Sequence, residues 1–272
     1  MRPEQQIVDT RAGRIAFRAA GAGVETLVLL HGLGGNALSW EEQFGPLGET
    51  RRAVAWDAPG YGGSDDPAAP EPGLDDYVAA LAAFLDALDL GLCDLLGHSM
   101  GGIVAARFAA RHGGRVRRLV LSCTTADFSP SGPGFAARAE ELRTLPAAAF
   151  GRLRADGMAA SATPEPVRQR LAAVAASARL PGFAAAARML GRSDNRGLLP
   201  GLALPVLVIA GSEDRIAPLA EAERLAALVP GSRLVVVEDA GHAPYAEQPT
   251  RYNHAVSAFL DADPDPRHTA TA

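Results

Sequence analysis

Six short runs of this sequence are apolar at nearly every position, and they constrain the fold more than any other feature. Strands buried on both faces of a parallel sheet have this pattern, whereas half-exposed strands alternate apolar and polar residues. The runs are Thr26–Leu30, Ala53–Trp56, Cys93–Leu96, Leu119–Ser122, Val206–Ala210 and Leu234–Val237. Ahead of them, Gln5–Asp9 and Arg14–Ala19 flank a turn and are expected to form a strand pair.

Longer segments with helical spacing separate the apolar runs. In Leu74–Leu90 apolar side chains recur every three or four residues, aspartates occupy the first turn, and Gly91 suits the C-terminal end. Further helices are expected at Ser99–His112, Pro218–Val229 and Thr250–Leu260. This alternation of strand and helix predicts a doubly wound, mostly parallel α/β sheet.

One block interrupts the alternation. Asp127–Gly197 contains no strand-like run and is rich in alanine and arginine, so we expect it to cover one edge of the sheet as a helical lid. Its expected helices lie near Gly134–Arg143, Ala147–Asp156, Glu165–Ala178 and Phe183–Gly191. The predicted domains are an α/β core of residues 1–126 and 198–262, a lid of residues 127–197 and a flexible tail of residues 263–272.

Composition argues against several classes of function. The net charge is −5 and no basic patch is present, so we expect no nucleic-acid partner. The N-terminal MRPEQQIVD lacks an apolar signal core and no apolar run is long enough to span a bilayer, which predicts a cytoplasmic protein with no membrane partner. All 26 basic residues are arginine, which excludes Schiff-base chemistry on a lysine. Cys93 and Cys123 fall at opposite ends of neighbouring strands and are expected to remain unbridged.

The pentapeptide Gly97-His98-Ser99-Met100-Gly101 joins a predicted strand to a predicted helix and matches the pattern G-x-S-x-G. A serine at such a corner lies in strained backbone, and its hydroxyl projects above the sheet edge at a helix N-terminus. The alternative is a glycine-rich turn that binds phosphate, but the G-x-G-x-x-G spacing of a dinucleotide site is missing. We therefore interpret Ser99 as a nucleophile.

A serine nucleophile needs a base, and an acid that orients the base. His242 is the histidine that follows a strand at the edge where Ser99 lies, so it is the expected base. Asp214, on the loop after Val206–Ala210, is the favoured acid, and the order serine, acid, histidine is the one this kind of sheet imposes. Glu213 and Asp127 are the alternative acids.

The segment LLHGLGG leaves another strand as a glycine-rich loop. We expect the backbone N–H groups of Leu33 and Met100 to form an oxyanion hole, which would stabilise the charge of a tetrahedral intermediate. The alternative for this loop is a flexible turn.

Five segments make the chain resemble the α/β-hydrolase fold enzymes over nearly its whole length. They are HGLGG, WDAPGYGGSD, GHSMGG, VIAGSEDRIAP and GHAPYAEQP, in the family's order and spacing. The resemblance implies an eight-stranded, mostly parallel sheet, a lid at Asp127–Gly197, a Ser99–Asp214–His242 triad, and neither a metal nor an organic cofactor. Serine at the nucleophile position disfavours the dehalogenase and epoxide-hydrolase branches.

Within the family, the segment ARMLGRSDNRGLLPGLALPVLVIAG looks like 3-oxoadipate enol-lactonases and related small esterases. Carbon–carbon hydrolases usually have a tryptophan where Ala243 follows the catalytic Gly-His, which lowers that option. We expect a serine hydrolase that cleaves a small carboxylic ester or lactone through an acyl-enzyme, with activity rising as His242 loses its proton. The alternatives are a carbon–carbon hydrolase, a lyase, cyclase or perhydrolase, and a slow-turnover ligand receptor.

The partner we expect is a small-molecule ester or lactone, and a homodimer is left open. Substrate contacts are expected from His31, Gly32, His98 and Trp40. The lid also carries many arginines, most of them expected on solvated helix faces, with one or two available to recognise a substrate carboxylate. They are Arg138, Arg143, Arg152, Arg154, Arg168, Arg179, Arg188, Arg192 and Arg196.

Overall fold

The computed structural model describes residues 2–262, and the predicted tail therefore lies outside the described residues. Eight strands form one sheet. They are β1 (Gln5–Thr10), β2 (Gly13–Ala20), β3 (Thr26–Leu30), β4 (Arg52–Trp56), β5 (Cys93–His98), β6 (Val116–Ser122), β7 (Val206–Gly211) and β8 (Arg233–Val237). The order across the sheet is β1-β2-β4-β3-β5-β6-β7-β8.

Only the first two strands break the parallel arrangement. β2 pairs antiparallel with β1 and β4, while every other neighbouring pair is parallel. All residues of β3, β5 and β7 are buried, as their unbroken apolar runs predicted. The register aligns Leu30 with Gly97 and His98 with Ser122, so the carboxyl ends of the three central strands meet at one edge.

Ten helices connect and cover the strands within the described residues. They are α1 (Glu41–Gly48), α2 (Leu74–Ala87), α3 (Met100–Arg111), α4 (Gly132–Thr144), α5 (Ala147–Met158), α6 (Glu165–Ala176), α7 (Leu180–Leu190), α8 (Leu219–Leu228), α9 (Pro244–Glu247) and α10 (Pro249–Leu260). One apolar core lies on each face of the sheet, with Phe84 and Phe108 in one and Phe44 and Tyr252 in the other. The doubly wound α/β fold is confirmed.

Among the helices that differ from the sequence-based expectation, α2 and α1 do so for a clear physical reason. α2 ends at Ala87, before Gly91, because Asp89 adopts φ +53° and turns the chain first. α1 was not predicted, since EEQFGPLG contains a proline and two glycines. Long-range contacts hold it in place: the Gln43 amide donates to the carbonyl oxygen of Tyr245 at 2.9 Å and to Asn253 at 3.0 Å.

The segment between β6 and β7 contains the four helices α4–α7, as predicted. A single bridge between Asp127 and Asp194 brings its two ends together. Its function as a lid stays a prediction. Cys93 and Cys123 are both buried free thiols, as expected from their positions. Each helix within residues 2–262 is too short or too polar to cross a membrane.

Candidate active site

Ser99 lies at the sharp corner between β5 and α3. Its φ of +51° and ψ of −113° are unusual for a residue with a side chain, and the neighbouring structure holds them. Ser99 N–H donates to the carbonyl oxygen of Ser122 at 2.9 Å, and Thr124 Oγ1 donates to the Ser99 carbonyl oxygen at 2.8 Å. Gly101 must lack a side chain, since a Cβ there would lie 2.2 Å from the Leu30 carbonyl oxygen. The predicted strand–serine–helix corner is therefore present.

His242 and Asp214 form a buried hydrogen-bonded pair on the loops that follow β8 and β7. The distance from His242 Nδ1 to Asp214 Oδ2 is 2.8 Å, and the side chains are 4% and 0% exposed. The other carboxylate oxygen, Oδ1, accepts the backbone N–H groups of Ile216 at 2.8 Å and Ala217 at 2.9 Å. Asp214 is thus fixed on both oxygens and can hold only one orientation of the imidazole.

The electrostatics of this pair favour an ionised Asp214. Burial alone would raise the pKa of its carboxyl group, but the charge and hydrogen bond of His242 and the two backbone donors outweigh burial and lower that pKa. In the neutral form of His242, a carboxylate that accepts the Nδ1 proton leaves Nε2 without a proton. That nitrogen can then accept a proton from a hydroxyl group.

His98 packs directly beside this pair. Its ring centroid lies 4.9 Å from that of His242 and 4.9 Å from that of Tyr245. Burial, followed by the charge of His242, lowers the pKa of His98 well below its ordinary value. His98 therefore stays neutral at physiological pH and acts as a packing surface for the His242 ring.

Glu247 holds the His242 loop, and sequence reasoning did not assign it a role. One carboxylate oxygen accepts the N–H groups of Gly241 at 3.0 Å and Ala243 at 3.1 Å, on either side of His242. The other accepts the N–H of Ala160 at 2.7 Å and the hydroxyl of Thr163. A buried carboxylate bonded to both segments fixes the histidine loop against the inserted helices. The sequence signal that could have identified Glu247 is its position in GHAPYAEQP, shortly after His242.

The loop after β3 lies against Ser99. A Cβ on Gly32 would fall 3.2 Å from Ser99 Cβ and 3.0 Å from His98 Cδ2, closer than most side-chain contacts, so glycine eases this approach. In the part of the chain that the structure describes, the N–H groups of Leu33 and Met100 donate no hydrogen bond to the protein. Both predicted oxyanion donors are thus without a protein acceptor, and their role in catalysis stays a prediction.

A cavity of about 280 Å³ contains Ser99, His98, Gly32, Leu33 and His242 in its wall. Apolar side chains from the inserted segment and from neighbouring loops supply much of the rest: Phe135, Met158, Leu171, Val174 and Ile216. The Ser99 hydroxyl makes no hydrogen bond within residues 2–262, and catalytic hydrogen bonds of this kind often form only with substrate bound. The site can therefore admit a small, largely apolar molecule to the serine.

Two residues expected to touch the substrate do not line the cavity. His31 is fully buried: its Nδ1 donates to the carbonyl oxygen of Gly32 at 2.8 Å, and its Nε2 accepts the N–H of Ala58 at 3.0 Å. Trp40 is also fully buried and packs on Tyr245 with ring centroids 5.2 Å apart. For these two the expectation of substrate contact is wrong, because both side chains are used to hold loops behind the cavity.

Neither alternative acid reaches His242. The Glu213 carboxylate accepts from the Ser161 hydroxyl at 2.8 Å and from the Ser161 N–H at 2.9 Å. Asp127 accepts from Ser129 and pairs with Arg196 at 3.1 Å. Asp127 therefore helps to hold the two ends of the inserted segment together, whereas Glu213 holds the connection between α5 and α6.

One group of residues within the described chain has the spacing of a metal site. Ligand atoms of Cys123, Asp214 and His242 lie within 4.8 Å of one another. Burial raises the pKa of the Cys123 thiol well above its ordinary value, which disfavours the thiolate that a metal requires. His242 Nδ1 and Asp214 are already bonded to each other, so a metal would have to displace that hydrogen bond. The donor set fits a hydrogen-bonded histidine–carboxylate pair better than a metal.

Comparison with known proteins gives a consistent result. A family model described as the alpha/beta hydrolase fold matches residues 25–249. The 2-hydroxymuconate semialdehyde hydrolase of a Pseudomonas species is 32% identical, covering 91% of this chain and 90% of its own. The 3-oxoadipate enol-lactonase 2 of Acinetobacter baylyi is 28% identical, covering 86% and 88% respectively. The crystal structure of the enol-lactonase from Burkholderia xenovorans is similar, with a TM-score of 0.88, 26% identity, and coverage of 94% of this chain and all of that one.

Proposed function

Because this chain belongs to the α/β-hydrolase fold family, we propose that it is a serine hydrolase that cleaves a small carboxylic ester or lactone through an acyl-enzyme. One observation carries the proposal: Ser99, at a strained strand–helix corner, shares a cavity with His242, and Asp214 holds that histidine through Nδ1. The similarity to enol-lactonases supports the same class of substrate.

In the acylation step, Ser99 Oγ attacks the carbonyl carbon of the substrate while His242 Nε2 accepts the hydroxyl proton. The carbonyl π electrons move to oxygen and give a tetrahedral oxyanion. Collapse of this intermediate breaks the bond to the leaving-group oxygen, which takes the proton from Nε2. The acyl group then remains on Ser99 as an ester.

The proposed oxyanion donors are the N–H groups of Leu33 and Met100. Donors that point where charge develops, in a site shielded from water, stabilise the transition state more than the ground state, and loss of one donor costs about 3 kcal/mol. Met100 is also the first residue of α3, so the positive end of the helix dipole lies beside the same oxygen.

In deacylation, a water molecule replaces the alcohol. His242 Nε2 takes one proton from this water as its oxygen attacks the acyl carbon, and then returns the proton to Ser99 Oγ as the acid leaves. Asp214 stays ionised throughout and stabilises the imidazolium that forms twice in each cycle.

Replacement of Ser99 by alanine tests the proposal. Hydrolysis of 4-nitrophenyl acetate and of a panel of esters and lactones is followed by product release, with circular dichroism to verify the fold. We expect the variant to lose turnover by about 10⁴-fold or more, since the nucleophile is absent. Substantial residual turnover on every substrate would contradict the assignment.

A second candidate is hydrolysis of a carbon–carbon bond. It is favoured by the similarity to 2-hydroxymuconate semialdehyde hydrolase over most of both chains. Against it, Ala243 takes the place of the tryptophan expected after the catalytic Gly-His. A parallel assay with that semialdehyde separates the two candidates, because a specificity constant far above that for any ester or lactone would favour carbon–carbon cleavage.

A further inference from the structure

Most arginines of the inserted segment, residues 127–197, are neutralised by a nearby carboxylate. Seven of its ten arginines form ion pairs: Arg143, Arg152, Arg168, Arg170, Arg179, Arg192 and Arg196. Arg188 is exposed to solvent. The remaining two, Arg138 on α4 and Arg154 on α5, are partly buried and line the cavity that contains Ser99.

The described part of the chain offers these two guanidinium groups no partner that would explain their position. Among residues 2–262 neither forms an ion pair or a side-chain hydrogen bond. Arg138 lies over the ring of Phe135, 5.2 Å from its centroid, a contact that holds the group without supplying a carboxylate. Ten N–H donors on two planar forks therefore lie in or beside a mostly apolar cavity, and no carboxylate of residues 2–262 pairs with them.

This arrangement is electrostatically unfavourable for the protein alone. Burial lowers the pKa of Arg138, and burial followed by the charge of Arg138 lowers the pKa of Arg154 to about 10. Both groups still carry their charge at neutral pH. Burying a charged group is costly unless the group is paired. Two desolvated positive charges that line a cavity therefore indicate a site where a ligand supplies the counter-charge.

The nearby acidic groups leave one positive charge uncompensated. Glu141 influences both arginines without contacting either, and its buried Oε2 has no hydrogen-bond partner in the described chain. At the cavity mouth, Glu41 pairs with Arg2 at 3.1 Å and Glu42 pairs with Arg170 at 3.4 Å. The two guanidinium groups and the nearby Glu141 carboxylate therefore sum to a net charge of about +1 beside the cavity.

We propose that Arg138 and Arg154 bind a carboxylate of the substrate, so that the ester or lactone cleaved at Ser99 carries a free acid group. This inference rests on the proposed hydrolase function. A guanidinium fork matches the two oxygens of a carboxylate. A local charge of +1 matches a monoanion better than a phosphate monoester, which carries about −1.5 to −2 at neutral pH.

The test compares matched anionic and neutral esters that differ in one methyl group. An acid on the acyl side is probed with 4-nitrophenyl hydrogen glutarate against 4-nitrophenyl methyl glutarate. An acid on the alcohol side is probed with 3-acetoxybenzoate against its methyl ester. For the wild-type protein we expect kcat/KM to be about tenfold or more higher for the anionic member of one pair, mainly through KM.

The variants Arg138→Met and Arg154→Met should lower that ratio toward one. Arg143→Gln on α4 and Arg152→Gln on α5 are matched controls, because both are exposed and paired with carboxylates outside the cavity, and they should keep the wild-type ratio. Removing an uncompensated charge should not lower the melting temperature, so thermal unfolding verifies that the methionine variants are folded.

The proposal would be overturned if the anionic and the neutral ester had equal kcat/KM in each of the two pairs. It would also be overturned if the double methionine variant kept the wild-type ratio of kcat/KM between the anionic and the neutral ester. Stronger inhibition by phenyl phosphate than by benzoate would overturn the choice of a carboxylate. Failure of the hydrolase proposal is distinguishable, since calorimetric binding of monomethyl glutarate against dimethyl glutarate needs no turnover when it is measured in the Ser99→Ala background. In this calorimetric experiment, the double methionine variant must lose binding of the monoanion; if it does not, the proposed anion site is wrong.

Discussion

Replacement of Asp214 by asparagine should abolish most activity while leaving the fold intact, because the structure dictates how the amide must lie. Asp214 Oδ1 accepts two backbone N–H groups, from Ile216 and Ala217. An asparagine carbonyl oxygen can replace Oδ1 there, but an NH₂ group cannot. Turning the amide over would leave two buried N–H groups unpaired, at a cost of about 2–6 kcal/mol.

The amide NH₂ group is therefore directed at His242. A donor facing Nδ1 forces that nitrogen to accept, so the proton of the neutral imidazole moves to Nε2. Nε2 can then no longer accept the proton of Ser99. We expect kcat to fall by about 10³- to 10⁴-fold, the range in which a wrong tautomer disables such a triad.

The assay is steady-state hydrolysis of the best ester found for the wild-type protein, with thermal unfolding as the check on folding. Glu213→Gln is the matched control, since Glu213 is the adjacent acid and contacts Ser161 instead of the histidine. It should retain activity within a few-fold. An Asp214→Asn variant that keeps more than a tenth of wild-type kcat would refute the tautomer reasoning.

Two predictions concern stability. Arg117→Met leaves the fully buried Asp94 carboxylate without its two 3.0 Å hydrogen bonds and should lower the free energy of unfolding, measured by urea titration, by about 3 kcal/mol. The exposed control Arg111→Met should lower it by less than about 1 kcal/mol. Equal losses in the two variants would contradict this account. Because the folded-state pKa of Asp214 is below its ordinary value of 3.8, its ionised form stabilises the fold above that pH, and this contribution disappears as the pH falls through the lowered pKa. The difference in melting temperature between wild type and Asp214→Asn should therefore shrink below about pH 4, and a difference that grows on acidification would contradict the sign of the shift.

Local patterns in the sequence were enough to predict the sheet. Strands such as Val206–Gly211 are buried on both faces, and burial of that kind leaves an unbroken apolar run in the sequence. The predicted acid and base could be placed because the carboxyl ends of parallel strands share one edge. The family match and the sheet order confirm the predicted family and sheet, while the roles of the acid and the base stay predictions.

Features that depend on distant contacts were missed. α1 is stabilised by Gln43, which bonds to residues about two hundred positions later in the chain, and no local pattern encodes that contact. His31 was grouped with substrate contacts since it lies in the glycine-rich loop, yet its ring is bonded to the backbone behind the cavity. Arg138 and Arg154 are indistinguishable in sequence from the paired arginines around them, because helix rotation alone decides which ones face inward.

Covalent labelling of the nucleophile tests the central claim most directly. The protein is treated with diethyl 4-nitrophenyl phosphate, release of 4-nitrophenol is counted, and the adduct is located by intact-mass and peptide mass spectrometry. The account predicts one diethylphosphoryl group per chain, on the peptide that contains Ser99, with loss of esterase activity and no labelling of Ser99→Ala. Labelling at another residue, or full activity after Ser99 is labelled, would contradict the assignment of Ser99 as the nucleophile.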